Sequence, residues 1–311
     1  MSSRGGRLAA LLDAGAFVVT GEVAAPRSGD PARVRDAARG LVGYVDAINV
    51  TDNPVASPHM SPLAGARFVH EAGAEPTLQL VCRDRNRLAI TADLLGGWAL
   101  GARNLLVLGG DPMHVGDHPD AAPVFDLGPN EVVALARRLR DEGTTSSGAE
   151  IDDPPRFLIG VADVPLAHPY DPAKLETKLD AGGDVVWTQI TYDTDRLGEW
   201  ADLVRPRGIF ERARVIVGLV PIRSVGNARF LDGLFGVDVP PAVFDLLADA
   251  GEHAERAGVA YTVEVAGRLR GIDGISGVHL MGIGRDDLVR EVVERAELFP
   301  RPTGETARSV P

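Results

Sequence analysis

Short apolar runs alternate with amphipathic segments along almost the whole chain. Eight apolar runs predict β-strands, and they cover residues 16–26, 45–50, 76–82, 104–110, 156–162, 184–192, 213–222 and 277–282. The segments that follow them carry apolar residues every three or four positions, which is typical of a helix with one buried face. Near-continuous apolar strands, each followed by a helix, predict a parallel sheet covered by helices.

Residues with strong capping preferences mark the ends of several predicted helices. Asp30 and Pro31 stand where an N-cap and a first helical residue are expected. Ser61 and Gly73 bracket the following helix in the same way. We also expect one additional helix over about residues 240–258, between the seventh and eighth strands.

About eight strand–helix units predict an α/β fold, a (β/α)8 TIM barrel in a single domain over residues 1–300. A doubly wound open sheet is the alternative, but no G-x-G-x-x-G motif follows the first strand. Two segments depart from the alternation. Residues 142–156 are small, polar and acidic and predict a flexible surface insertion, and residues 301–311 predict a disordered tail.

The composition narrows the class of protein. Of the 311 residues 45% are hydrophobic and 24% are charged, as in ordinary globular proteins. The 32 basic and 44 acidic residues give a net charge of −12, which argues against a nucleic-acid partner. No apolar run reaches the roughly 18 residues of a membrane span, and the N-terminus has no secretory apolar core. We therefore expect a cytoplasmic protein without a membrane partner.

Cysteine and lysine are rare, and this excludes several kinds of site. Cys82 is the only cysteine, so neither a disulfide within the chain nor a multi-cysteine metal site can form. His114 and His118 lie in the loop "MHVGDHPD" without regular spacing, so we expect a solvated loop and no bound metal. Lys174 and Lys178 both lie in a predicted helix, which argues against a Schiff-base lysine on a barrel strand.

In barrels of this class the reactive side chains lie at the C-terminal ends of the strands. The polar residues at those predicted ends are Glu22, Thr51, Asp52, Asn53, Gln79, Arg83, Asp111, Gln189, Tyr192 and Arg285. Glu22 stands inside an apolar run, where a carboxylate is costly to bury without a partner or a purpose. It is therefore either a catalytic acid or a member of a buried ion pair.

Seven motifs resemble, in order, those of methylenetetrahydrofolate reductases. They are "TGEVAAP", "VDAINVTDNP", "LQLVCRDRN", "LLVLGGDP", "KLETKLDAGGDVVWTQITYD", "GLVPI" and "GVHLMGIGR", and together they span roughly residues 16 to 298. The "INVTDNP" and "CRDRN" versions look most like the bacterial branch that includes acetogen reductases and modules fused to homocysteine methyltransferases. The resemblance implies a barrel with a flavin at the strand C-termini. It also implies hydride transfer to the methylene carbon of 5,10-methylenetetrahydrofolate, which gives 5-methyltetrahydrofolate.

The resemblance implies catalytic roles for Glu22 and Asp111. The methylene bridge must open to a cationic iminium before it accepts a hydride, and opening requires a proton at the departing nitrogen. Glu22 corresponds to the family's proton donor. Asp111 corresponds to the aspartate between flavin and folate, where its negative charge would favour the iminium. A structural ion pair for Glu22 and a turn-capping role for Asp111 are the alternatives.

The resemblance also implies two sets of binding residues. Gln189 and Arg285 correspond to the folate side, together with Asp111, and an amide that both donates and accepts suits a pterin edge. Tyr192, at the predicted end of the same strand as Gln189, is also expected to bind the substrate. The positions expected at the flavin from the resemblance are Thr51, Gln79, Leu108, Gly110, Asp111 and Lys178. Arg83, as a charge for a phosphate, and His168, from its place after the fifth strand, are expected there as well. Gln79 stands where other members have a histidine. The alternatives are a satisfied polar residue for Gln189, a solvated helix residue for Lys178 and a helix-capping residue for Arg285.

Departures from the family pattern bear on which cofactor is expected. Gly109, Ala162 and Thr177 stand where relatives carry an arginine, a tyrosine and an arginine. Arg83 and Arg85 could supply replacement charge for a phosphate. FAD is the implied cofactor, and FMN or a flavin-free reductase that takes hydride directly from NADH are the alternatives. The implied partners are the folate, NAD(P)H or a protein electron donor, and a second copy in a homo-oligomer. An alternative from another class of function is a folate-binding subunit of a methyl-transfer complex.

Overall fold

The computed structural model describes residues 4–302 and contains one closed barrel of eight parallel strands. Each strand pairs with the next along the chain, and β8 pairs back with β1 through Thr20 and His279. The strands are β1 Val18–Val23, β2 Ala47–Val50, β3 Pro76–Val81, β4 Asn104–Leu108, β5 Leu158–Asp163, β6 Val185–Ile190, β7 Arg214–Leu219 and β8 Ile275–Leu280. The predicted TIM barrel is confirmed.

Twelve α-helices lie within the described part of the chain, and most of them cover the outside of the barrel. They are α1 Arg7–Asp13, α2 Pro31–Leu41, α3 Pro62–Glu71, α4 Arg87–Ala99, α5 Pro129–Glu142, α6 Pro172–Ala181, α7 Thr194–Val204, α8 Ile209–Arg212, α9 Val225–Asp232, α10 Pro241–Ala250, α11 Ala254–Leu269 and α12 Asp286–Arg295. The predicted caps are where expected, since Asp30 is the N-cap of α2 and accepts from Ala32 N at 2.9 Å.

Helix α1 closes the N-terminal end of the barrel. Its Leu8, Leu11 and Leu12 are buried against inward-facing residues of the strands, among them Val18 and Trp187. The opposite, C-terminal end is therefore the accessible one, and we call it the mouth. Enzymes with this fold carry their reactive groups there.

Side chains alternate between the barrel interior and the helical layer, as in any strand. On β1, Val19 and Val23 pack in the large outer core, whereas Val18 lies in the inner cluster. Thr20 and Glu22 share the face of Val18, so both point into the barrel. Glu22 is the one closer to the mouth.

The predicted helix over residues 240–258 is wrong in its extent. The structure has two helices there, and the chain turns between them at Gly251, whose φ is +53°. Helix α11 then runs on to Leu269. Its buried face includes small residues such as Gly258 and Ala266, which blur the apolar periodicity that predicts a helix.

Two predicted irregular segments differ in outcome. Arg301 belongs to the folded domain and not to a tail, because its guanidinium is buried and bonds to Asp46 Oδ2 at 2.6 Å. Residues 303–311 lie outside the described residues. Within 142–156, Thr144 and Glu150 form a short antiparallel bridge. The flexibility of that segment stays a prediction.

Candidate active site

Glu22 lies at the mouth with its carboxylate held by an amide and an imidazole. Gln79 Nε2 donates to Glu22 Oε2 at 3.0 Å, and His279 Nε2 lies 3.7 Å from the same oxygen. The Glu22 side chain is 19% exposed. Within residues 4–302 no lysine or arginine pairs with it, so a buried ion pair with a permanent cation is not what holds this carboxylate.

The barrel interior below Glu22 is polar. His279 Nδ1 and Thr20 Oγ1 are 2.9 Å apart, and both side chains are buried. Asn49 stands beside Glu22 in the register of β1 and β2, and neither side-chain atom of Asn49 has a hydrogen-bond partner in the structure. The buried hydroxyl of Thr77, the neighbour of Asn49 on β3, has none either. The side chains that lie below Glu22 in the barrel are therefore polar.

Arg83 ties together the turns that follow β2, β3 and β4. Its Nε donates to Asp84 Oδ1 at 2.6 Å, Nη1 donates to the Asp111 carbonyl at 2.8 Å, and Nη2 reaches the Asn53 carbonyl at 3.4 Å. The side chain is only 2% exposed. The prediction that Arg83 contacts the cofactor is therefore corrected, because its guanidinium is buried and already bonded.

Arg85 is also paired with carboxylates. Its Nη1 lies 2.6 Å from Asp52 Oδ2, and its Nε lies 2.7 Å from Asp93 Oδ2. Burial raises the pKa of Asp52, although the hydrogen bond and charge of Arg85 act in the opposite direction. Asp52 also accepts from Val81 N at 2.9 Å. Neither arginine of "CRDRN" is thus free to pair with a phosphate.

Asp111 is exposed at the mouth and bonded to a strained turn. Its Oδ2 accepts from Val55 N at 2.8 Å. Val55 and Asn53 both have left-handed backbone conformations, with φ of +54° and +43°, which is costly for a β-branched residue. Such strain tends to cluster at functional sites. Gly110 has φ +91°, so its position favours glycine.

Thr51 and Leu108 lie where the resemblance places flavin contacts. Thr51 is buried, and its hydroxyl oxygen accepts from Ala25 N at 2.9 Å, which leaves the hydroxyl proton available. Leu108 is half-buried, ends β4 and packs with the inner cluster. Both therefore face the same end of the barrel as Glu22.

Lys178 extends from α6 to the end of β5. Its ammonium donates to the Ala162 carbonyl and lies 3.9 Å from Asp163 Oδ1. Burial lowers the pKa of Lys178, and Asp163 opposes that effect. Tyr170 donates to the other oxygen of Asp163 at 2.9 Å. His168 is exposed in the same loop, so Lys178 and His168 both lie near the mouth on the β5 side.

The folate-side residues are not brought together. Gln189 Nε2 donates to the Phe235 carbonyl at 2.9 Å, so this amide is joined to the loop after α9. Arg285 is bonded to Glu255 and Asp287, both at 2.8 Å, on the exposed surface. It therefore has two carboxylate partners already.

Tyr192 requires a correction. Its side chain is fully buried, and its hydroxyl donates to the Val220 carbonyl at 2.7 Å. It also packs near Tyr261 of α11. The residue lies beyond the end of β6 on the helical side, so it cannot contact a substrate in the mouth.

A Tyr192→Phe variant should be less stable by about 1–3 kcal/mol, because the buried Val220 carbonyl loses its donor. The KM for a substrate bound at the mouth should not change. Thermal unfolding and steady-state kinetics measure the two effects. Tyr44→Phe is the control, since the Tyr44 hydroxyl bonds Glu294 on the exposed surface and its loss should not be measurable. A several-fold rise in KM for Tyr192→Phe would contradict the buried placement.

His279 and Phe235 were missed by the sequence analysis. His279 stands inside the apolar run "GVHLMG", and this is the signal that could have found it, because a buried polar residue within a strand needs a partner. Phe235 is 82% exposed, and its carbonyl receives the Gln189 amide. Nothing in the sequence distinguishes it from other loop residues.

Metal binding and membrane insertion receive no support from the described residues. No three His, Cys, Asp or Glu side chains within 4–302 converge in a way that could hold a metal ion. In the same part of the chain, none of the helices combines the length and the apolar character needed to cross a bilayer.

Comparison with known proteins yields one family. The family model described as methylenetetrahydrofolate reductase matches residues 7–297. Methylenetetrahydrofolate reductase 1 of Schizosaccharomyces pombe is 27% identical, covering 71% of this chain and 36% of the relative. Methylenetetrahydrofolate reductase 2 of Saccharomyces cerevisiae is 27% identical, covering 78% of this chain and 40% of the relative. The chain thus spans only about two fifths of these relatives.

A solved structure supports the fold. An uncharacterized protein from Clostridium thermocellum, described as binding two copies of 5-methyl-5,6,7,8-tetrahydrofolic acid, aligns with a TM-score of 0.63 at 11% identity. The alignment covers 94% of this chain and 98% of that chain. At this identity the likeness establishes the shared fold alone.

Proposed function

Because the chain belongs to the methylenetetrahydrofolate reductase family, we propose that it reduces 5,10-methylenetetrahydrofolate to 5-methyltetrahydrofolate with Glu22 as the proton donor. The observation that carries this proposal is the placement of Glu22. Its carboxyl group stands at the open end of a barrel that α1 closes at the other end, with Gln79 and His279 in contact with one oxygen. The second oxygen, Oε1, is left to meet a substrate.

In the proposed reaction Glu22 acts before the hydride arrives. Its carboxylic acid proton passes to the departing nitrogen of the methylene bridge, the carbon–nitrogen bond breaks, and a cationic iminium results. Gln79 fixes the orientation of the carboxyl group through its hydrogen bond. The iminium carbon then accepts a hydride, and the methyl product forms.

Asp111 would stabilise the iminium. The carboxylate is exposed at the mouth, and the Val55 N–H holds one of its oxygens. A fixed negative charge beside a developing cation lowers the barrier without reorganisation during the reaction. Gln189, at the end of β6, would hydrogen-bond the pterin after exchanging its contact with the Phe235 carbonyl.

The mouth offers several residues that would contact the ring end of a flavin. A bound flavin would supply the hydride. Thr51, Gln79 and Leu108 face this end of the barrel. The Thr51 hydroxyl retains a proton to donate. These residues would hold the ring between the β4 turn and the substrate.

Fewer positively charged side chains are available to bind the phosphate end of a flavin. Arg83 and Arg85 are bonded to Asp84, Asp52 and Asp93. Lys178 is a cation near the end of β5, where it bonds to the Ala162 carbonyl, and His168 lies in the loop above it. Because Arg83 and Arg85 are already paired, we also consider a second candidate, a reductase of the same substrate that takes hydride directly from NADH.

The two lysines allow a matched test of flavin binding. Lys178→Gln should lower the flavin content of the purified protein several-fold, because the Lys178 ammonium offers positive charge for a phosphate near the end of β5. Lys174→Gln, on the same helix but exposed, should retain it. Absorption near 450 nm after anaerobic purification, calibrated with released flavin, measures the content. A colourless wild-type protein that still oxidises NADH with the folate would favour the second candidate.

Anaerobic titration tests the proposed function itself. The purified protein is reduced with NADH or NADPH and then mixed with 5,10-methylenetetrahydrofolate, and 5-methyltetrahydrofolate is measured by chromatography. We expect one product molecule for each reduced nicotinamide consumed. Folate binding without product under both donors would favour the folate-binding subunit instead.

A further inference from the structure

Three polar side chains form a row inside the barrel on β2, β3 and β4. Asn49, Thr77 and Asn104 point to the interior, because the residues that follow them along the strands pack in the outer core. The register pairs Asn49 with Glu22 on one side and with Thr77 on the other, and it pairs Thr77 with Asn104. Asn104 is the first residue of β4, so the row descends from Glu22 towards the closed end. All three side chains are fully buried.

The row contains an unusual concentration of unpaired polar atoms. Seven buried side-chain nitrogen and oxygen atoms in residues 4–302 have no hydrogen-bond partner, and four of the seven belong to this row. They are Asn49 Nδ2, Asn49 Oδ1, Thr77 Oγ1 and Asn104 Oδ1. About nine in ten buried polar groups are paired in folded proteins, because an unpaired one is costly. Four such atoms on three adjacent strands therefore indicate a shared partner that is not a side chain.

The chemistry of the four atoms selects the kind of partner. They comprise one amide donor, two amide acceptors and a hydroxyl that can both donate and accept. A cation would be repelled by Asn49 Nδ2, and an anion would be repelled by the two amide oxygens. Water both donates and accepts, and it matches all four atoms. The interior also has small inward residues, Ala47 on β2 and Gly218 on β7, where barrels of this class usually carry bulky ones.

We propose that the interior of the barrel binds ordered water along this row, as a fixed part of the folded protein. A buried water makes about three hydrogen bonds, so about two or three molecules would satisfy the four atoms. They bridge Asn49 to Thr77 and Thr77 to Asn104. At the lower end Asn104 Nδ2 already donates to Glu75 Oε1 at 2.9 Å. At the upper end the bound water fixes the Asn49 amide beside Glu22. The inference does not depend on the proposed function, and its tests need no substrate.

Thr77→Val tests the proposal through the sign of its effect on thermal stability. Valine has nearly the shape of threonine, and it lacks the hydroxyl. Tm should fall by about 2–4 °C in calorimetry, because the bound water loses a partner. A hydroxyl without any partner would give a rise, since the substitution would then remove a buried unpaired group.

Thr262→Val is the matched control for the loss of a paired hydroxyl. Thr262 is also fully buried, and its Oγ1 accepts from Ile222 N at 3.2 Å and donates to the Gly258 carbonyl at 2.9 Å. Its replacement should lower Tm by a similar amount. An increased or unchanged Tm for Thr77→Val, beside a fall for Thr262→Val, overturns the proposal.

A crystal structure at atomic resolution locates the water directly. We expect density peaks at about 2.7–3.2 Å from the four atoms. The peak next to residue 77 should move or vanish in Thr77→Val. A wild-type interior without these peaks, or with Asn49 bonded directly to Thr77, contradicts the proposal whatever the Tm values are.

Discussion

In the proposed reaction, replacing Glu22 with glutamine should reduce turnover of 5,10-methylenetetrahydrofolate by about a hundred- to ten-thousand-fold. Glutamine has nearly the same shape, and its carbonyl oxygen can still accept from Gln79 Nε2, as Glu22 Oε2 does. The amide cannot give up a proton at neutral pH. The loss should therefore appear in kcat, while the folate dissociation constant and the thermal stability stay near the wild-type values.

Glu75→Gln is the matched control for this prediction. Glu75 lies at the closed end of the barrel, where Oε1 accepts from Leu8 N at 3.0 Å and from Asn104 Nδ2 at 2.9 Å, and Oε2 accepts from Arg7 N. Its replacement should lower stability by about 1–3 kcal/mol, because an amide nitrogen cannot accept a hydrogen bond, and should spare kcat. If both variants lost kcat equally, or if Glu22→Gln remained active, Glu22 would not be the donor.

The fold could be predicted from the sequence because each strand is buried on both faces. Apolar runs such as 104–110 therefore stand out from the amphipathic helices between them. The helix boundaries within residues 240–269 could not be predicted in this way, since α11 buries small residues that give a weak apolar periodicity. Arg301 was missed for another reason: its carboxylate partner, Asp46, is 255 positions away in the sequence.

The candidate site could be predicted in part. The strand-end rule selected Glu22 correctly as a mouth residue, but it says nothing about which side chains are already bonded. Arg83 was assigned to a phosphate because the sequence does not show its contacts with Asp84 and the turn carbonyls. Tyr192 follows the end of β6, where the two-residue alternation places it on the helical side. The sequence could have singled out His279 as a polar residue in an apolar strand, but its neighbours on β1 are known only from the register that brings β8 beside β1.

Arg83→Gln should have the largest effect on stability, about 3 kcal/mol, which corresponds to a fall in Tm of about 5–10 °C. The guanidinium is buried and joins three turns, so its loss leaves the Asp111 carbonyl without this donor and Asp84 with the Asn53 amide alone. The turn that carries Asp111 should then lose its fixed position, and kcat should fall as well. Arg83→Lys should rescue little, because an ammonium cannot reproduce the fork of hydrogen bonds.

The same variant has a defined pH dependence. Burial alone would raise the pKa of Asp84, but its hydrogen bonds with Arg83 and Asn53 hold it below the usual value. A lowered carboxyl pKa contributes stability above about pH 4 that is lost as the pH falls further. The difference in Tm between wild type and Arg83→Gln should therefore be larger at pH 7 than at pH 3.5. Arg87→Gln, which breaks the exposed pair with Asp126, is the control and should change Tm little. If the two variants lowered Tm equally, the buried position of Arg83 would not stabilise the turns.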